Sequence, residues 1–172
     1  MMKEKLTSNL GTIPEPIKRD YPKLIVEEGE VSSLDRVKGE LKRLKEYPIG
    51  EERNRRDPFT IGREAPETIG KKDILVDKRY RSVSRHHAEI NFDENDNSYF
   101  LVDYSLNGTL VNGKKVGGTR VRETRRLEHE DLIEVPAVGE KVVMRFLMYE
   151  RMDILSWAKG QLPPPRRIKR KS

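Results

Sequence analysis

Between residues 58 and 149 short apolar or alternating stretches recur, each ended by turn-forming residues. They lie at 59–61, 74–76, 88–92, 99–102, 109–111, 132–135 and 142–149. In the third run Ala88, Ile90 and Phe92 share one face while His87, Glu89 and Asn91 share the other, the period of two of a half-buried strand. The segment 93–97 (DENDN) reads as a polar turn. Asn107-Gly108 and Asn112-Gly113 are turn dipeptides, because both residue types tolerate positive φ. Many short strands without intervening helical patterns predict an all-β sandwich of two sheets.

The flanks read differently. Residues 1–20 carry Gly11, Pro14, Pro16 and scattered charges without a period, and are expected to be a flexible leader. The unit 21–46 is expected to hold a short strand (Leu24, Ile25, Val26) followed by an amphipathic helix. Leu34, Val37, Leu41 and Leu44 step by 3, 4 and 3, one face of a 3.6-residue period, with Ser32 or Ser33 as cap and Pro48 and Gly50 as stop. Such a helix packs on its own domain or enters a second protein's groove, so the segment 34–44 is a candidate partner-binding element. The main β unit is expected over 47–150 and a short helix over 151–162, before a Pro-rich, basic tail at 163–172.

Charge changes this picture in one respect. The chain of 172 residues has a net charge of +6, and the five cations Arg166, Arg167, Lys169, Arg170 and Lys171 of the tail supply +5 of it. A solvated tail of this kind is a candidate nuclear-import signal or nucleic-acid contact. The expected location is nuclear, otherwise cytoplasmic; the first residues lack the apolar stretch of a secretory signal, and no apolar run approaches the ~20 residues of a spanning helix. With no Cys, disulfides, thiolate nucleophiles and Cys-ligated metals are excluded.

Catalytic chemistry finds no residue set. His86 and His87 are adjacent and point to opposite faces of a strand, and the third histidine, His129, is distant in sequence. No zinc-protease spacing, phosphate-cradling Gly-rich loop or nucleophile elbow is present. No enzyme activity, metal or cofactor is expected.

Binding chemistry does. Gly62-Arg63, then Ser84-Arg85-His86-His87, then the run from Asp103 to Thr109 (DYSLNGT), then Asn112-Gly113, fall in order in turns of one β unit. Arg63 offers a planar fork of donors matched to phosphate oxygens. Ser84 adds a hydroxyl, and Asn107 an amide that can both donate to and accept from an extended backbone. Lys78, Arg79 and Arg81 add positive field.

This ordered set resembles the forkhead-associated (FHA) domain, a phosphothreonine-binding β-sandwich. The resemblance implies that Arg63 and Ser84 contact the phosphate, that Arg85 helps, and that Asn107 bonds the ligand backbone. It also implies that His87, Gly62, Gly108 and Thr109 are structural. Leu106 stands where many members have a small polar residue, so the outer part of the pocket departs from the pattern. The implied function is a phosphothreonine-dependent protein–protein interaction adaptor in a nuclear complex. The alternative is a nucleic-acid or ribonucleoprotein factor binding through the basic tail, with the FHA unit as docking module. Arg79 and Arg81 lead us to expect acidic residues after the phosphothreonine.

Overall fold

The computed structural model describes residues 22–49, 57–119 and 121–148. The expected leader, the 151–162 helix and the basic tail lie outside the described residues. Among the described residues there are thirteen strands and no helix, and hence none long and apolar enough to cross a membrane.

The first strands are β1 (Lys23–Glu28), β2 (Val31–Asp35), β3 (Glu40–Lys42), β4 (Glu46–Pro48), β5 (Phe59–Arg63) and β6 (Ile74–Val76). Next come β7 (Ala88–Asp93), β8 (Ser98–Asp103), β9 (Thr109–Val111) and β10 (Lys114–Val116). The last are β11 (Glu123–Leu127), β12 (Leu132–Val135) and β13 (Val142–Leu147). They form a six-stranded sheet, β10-β9-β12-β13-β1-β4, and a seven-stranded sheet, β11-β8-β7-β5-β6-β2-β3. Pairing is antiparallel except for β5 with β6. The core between the sheets holds Leu24, Ile61, Ile74, Leu101, Ile133 and Phe146, all fully buried. The all-β sandwich expected from the alternation is therefore the fold.

The amphipathic helix expected at 34–44 is not formed. Its residues make the hairpin β2–β3, in which Leu34 pairs with Leu41. The Asp35 carboxylate accepts the backbone N–H groups of Val37 and Lys38, and Gly39 turns the chain at φ +70°. The helical spacing misled because a hairpin also brings Leu34 and Leu41 together. Gly39 was the contrary signal, since a mid-helix glycine costs about 1 kcal/mol while a turn uses its positive φ. Val37, expected on the buried face, is 96% exposed at the turn. The partner-groove role expected of that helix loses its physical basis.

The same segment joins both sheets. β1 lies between β13 and β4, and Val31 and Ser32 of β2 pair with Val76 and Leu75 of β6. The sandwich thus takes strands from both sides of residue 47. Three further strands, β4, β10 and β11, were not expected. Each is an edge strand, short or charge-rich, as edges that avoid unwanted pairing are.

Candidate functional site

One end of the sandwich collects the turns that carry the motif residues. Arg63 ends β5, and its backbone N–H donates to the Ser84 carbonyl at 3.0 Å, which brings the two positions side by side. The turn from β8 to β9 closes onto them: Leu106 N–H donates to Ser84 Oγ at 3.2 Å, and Asn107 Nδ2 donates to the Ser82 carbonyl at 2.8 Å. Gly62 permits this approach. A Cβ there would stand 1.9 Å from the Arg85 carbonyl oxygen, inside any allowed contact.

The scaffold beneath is a buried polar network. Ser84 N–H donates to His87 Nδ1 at 3.1 Å, so that nitrogen is the acceptor and Nε2 carries the proton it gives to the Gly108 carbonyl, also 3.1 Å. Burial is the main cause that lowers the His87 pKa, against the opposing pull of the Asp103 carboxylate 3.8 Å away, and the ring is held neutral. Asp103 is fully buried and accepts from Ser105 N–H and Oγ, Thr109 Oγ1 (2.7 Å) and Gly118 N–H (3.1 Å). Ser105 Oγ in turn accepts Gly108 N–H at 2.7 Å, and Gly108 adopts φ +81°. The sequence motif contains Asp103 and Ser105 but does not reveal that the carboxylate is the hub. That follows from its burial, which demands that each oxygen find donors.

The upper side chains are less fully engaged. Ser84 Oγ is an acceptor for Leu106, which leaves its O–H proton to donate outward. Arg63 Nη1 donates to the Arg81 carbonyl at 2.8 Å, holding the guanidinium beside the 77–87 loop. The Arg85 side chain is tied to the Glu67 carboxylate, and that hydrogen bond is the chief cause lowering the Glu67 pKa. Leu106 is 53% exposed. Of the positive field, Arg79 is occupied: it pairs with Glu30 at 3.4 Å and donates to the Tyr80 hydroxyl at 2.9 Å. Lys78 and Arg81 are exposed and make no ion pair among the described residues. Arg81 and Lys78, rather than Arg79, are therefore the open charges of that group.

His86 points out of this network. It is bonded to Lys72, lies 3.3 Å from Glu89 through Nε2, and packs at a tilt against Tyr104 with ring centroids 4.7 Å apart. Partial burial, then the Lys72 charge, lower its pKa. Sequence reasoning had no signal for this group, whose members are brought together only by strand pairing. Among the described residues no cluster of His, Asp and Glu is arranged to hold a metal ion.

Residues 59–136 match the family model of the FHA domain. The chain carries an FHA domain. Over 90 residues it is 40% identical to the mouse "Angiogenic factor with G patch and FHA domains 1", a match spanning 49% of this chain and 12% of that protein. The human protein of the same name is 41% identical over 91 residues, 51% of this chain and 11% of its own. The chain therefore matches only about an eighth of these curated relatives. Two solved structures share the fold. Full-length yeast Pml1p superposes with a TM-score of 0.51 at 22% identity, covering 73% of this chain and 79% of that one. The N-terminal FHA domain of S. cerevisiae Rad53p, solved with a phosphothreonine peptide, gives 0.50 at 20% identity, covering 73% and 91%. FHA domains are interaction modules, and the fold here is theirs.

Proposed function

We propose that this FHA domain is a phosphothreonine-dependent adaptor, with Arg63, Ser84 and Asn107 as the reading side chains. The observation that carries the reading is the loop closure at Ser84. Its hydroxyl oxygen is filled by Leu106 N–H, its proton is left to donate, and Arg63 and Asn107 are anchored to the adjacent 81–82 backbone. The Rad53p FHA domain was solved with a phosphothreonine peptide on the same fold, which supports the ligand class.

A phosphothreonine brings about −1.5 to −2 charge and three strong acceptor oxygens. Charge-assisted hydrogen bonds contribute roughly 1.5–3 kcal/mol each, so two of them separate phosphorylated from plain threonine by ~3 kcal/mol or more, beyond 100-fold. The preference for threonine over serine gains only ~0.8 kcal/mol from burying one methyl. Arg85 assists from its Glu67 pairing, and Leu106 offers apolar contact at the rim. The domain acts by binding, without catalysis, and the basic tail directs the protein to the nucleus.

The test is an immobilised degenerate phosphothreonine peptide library beside its unphosphorylated counterpart, probed with wild type and Arg63→Ala. Retention on the phosphorylated library alone, lost in the variant at an unchanged urea midpoint, is the expected result. Equal retention of both proteins would overturn the assignment of Arg63.

A further inference from the structure

Outside the tail, positive charge in the sequence is concentrated in one stretch. Between Lys114 and Arg126 six cations face the single acid Glu123, a local charge of +5. With the +5 of the tail this exceeds the +6 of the whole chain, so the remainder carries −4. Glu123 is itself engaged, accepting Gly117 N–H at 2.6 Å. Lys114, Lys115 and Arg126 are exposed and make no ion pair among the described residues. Elsewhere on the body, outside Lys78 and Arg81, several cations are matched: Lys23 with Glu46, Arg43 and Arg79 with Glu30, Arg145 with Glu27.

The register of β11 turns this stretch into a surface. Arg126 lies opposite Phe100 on β8, which lies opposite Asn91 on β7. The alternate residues Arg125, Leu101 and Ile90 face the other way, Leu101 and Ile90 being in the core, so Arg126, Phe100 and Asn91 form a row on the outer face of the seven-stranded sheet. Phe100 is half-buried, and no other aromatic ring among the described residues pairs with it. Four residues on, ~13 Å along the strand direction, Tyr104 packs against His86 and has the Arg122 guanidinium 5.4 Å from its ring centre. Tyr104 thereby fixes Arg122 on the same face as Arg126. Of the acids of that face, Glu89 is bonded to His86 and Tyr104, and Asp93, two residues past Asn91, stands at the opposite end, where the DENDN turn begins.

We propose that this outer face of β7, β8 and β11 is a platform for a single-stranded nucleic acid. Arg122 and Arg126 hold backbone phosphates, Phe100 stacks a base, and Asn91 bonds a base edge. Single strands fit because only unpaired bases expose a face to an aromatic on a flat sheet, and an Arg-lined row meets the phosphates alongside. The residues differ from those of the phosphothreonine reading, and from the tail, so this proposal stands or falls separately.

The test is fluorescence anisotropy of the full chain with labelled single-stranded RNA and DNA of about 12 nucleotides, within the range of site sizes for such platforms. Binding is expected to weaken with salt. Arg122→Gln with Arg126→Gln should lower affinity about tenfold and flatten the slope of log affinity against log salt by ~1.4, which is ~0.7 for each phosphate contact. Phe100→Leu should cost about fivefold at an unchanged slope. Arg63→Ala should bind oligonucleotide like wild type, which separates failure here from failure of the phosphopeptide pocket. The proposal is overturned by any of three results: no binding of either oligonucleotide, equal binding of a duplex, or loss only when the five tail cations are replaced by alanine.

Discussion

The β8–β9 turn and the β11 edge are both dense in polar residues, yet they use them in opposite ways. At the turn, Asp103, Ser105, Thr109 and His87 are buried and spend nearly all their hydrogen-bonding capacity on one another and on nearby backbone. At the edge, Arg126 is exposed, makes no ion pair among the described residues, and is held by strand pairing through its backbone. A buried polar group must be satisfied or it destabilises the fold, so the turn is rigid and intolerant of change. An exposed charge has no such obligation and remains available for a ligand. The phosphate-reading positions we propose lie where the two regimes meet, as at Ser84, whose oxygen is committed and whose proton is not.

The contrast is tested most severely at its hub. Asp103→Ala removes the acceptor for Ser105, Thr109 and Gly118 and leaves those donors stranded in the core. A loss of about 3 kcal/mol or more in urea-unfolding free energy is expected. A change under 1 kcal/mol would mean the network does not hold the turn. Gly62→Ala drives a methyl into the Arg85 carbonyl and should cost about 2–3 kcal/mol, read from the same unfolding curves, with weakened phosphopeptide retention because Ser84 is displaced.

A smaller effect is expected from pH. The folded-state pKa of His87 is lowered, chiefly by burial, from an ordinary value of about 6.5. The unfolded chain therefore binds more protons below that value, and the stabilisation, complete above pH ~6.5, is lost as pH falls toward the folded pKa. Unfolding free energy should drop by up to ~1.4 kcal/mol per pH unit for this group below pH 6.5. His86, lowered by partial burial and Lys72, adds in the same direction. His86→Gln should leave most of the slope and His87→Gln should remove most of it; equal slopes in the two variants would place the sensitivity elsewhere. The least effect is expected at the hairpin tip, where Val37→Ser should change stability by less than ~0.5 kcal/mol. A helix burying Val37 would lose several times that.

The strands with clean alternation and the ordered Gly62-Arg63, Ser84–His87 and Asp103–Thr109 elements were readable because they are local. Each strand carries its own period, and each turn residue its own φ preference. The β2–β3 hairpin is hard to read from the sequence because leucines three or seven residues apart satisfy a helix and a hairpin alike, and Gly39 alone, at φ +70°, favours the turn. β11 was missed because an edge strand needs no apolar period: the sequence ETRRL is a strand through its ladder with β8, a contact that exists only after folding.

The order of amino acids was sufficient for the two-sheet class and for the set of residues that resembles a phosphate reader, since both depend on short-range periodicity and on side-chain chemistry. It was not sufficient for the role of Asp103, the occupation of Arg79 by Glu30 and Arg85 by Glu67, or the row of Arg126, Phe100 and Asn91. Those are matters of register and burial. Whether a charge is free or paired, and whether a carboxylate is a surface group or a hub, is decided by partners tens of residues away, which pairing of the strands brings within hydrogen-bonding distance.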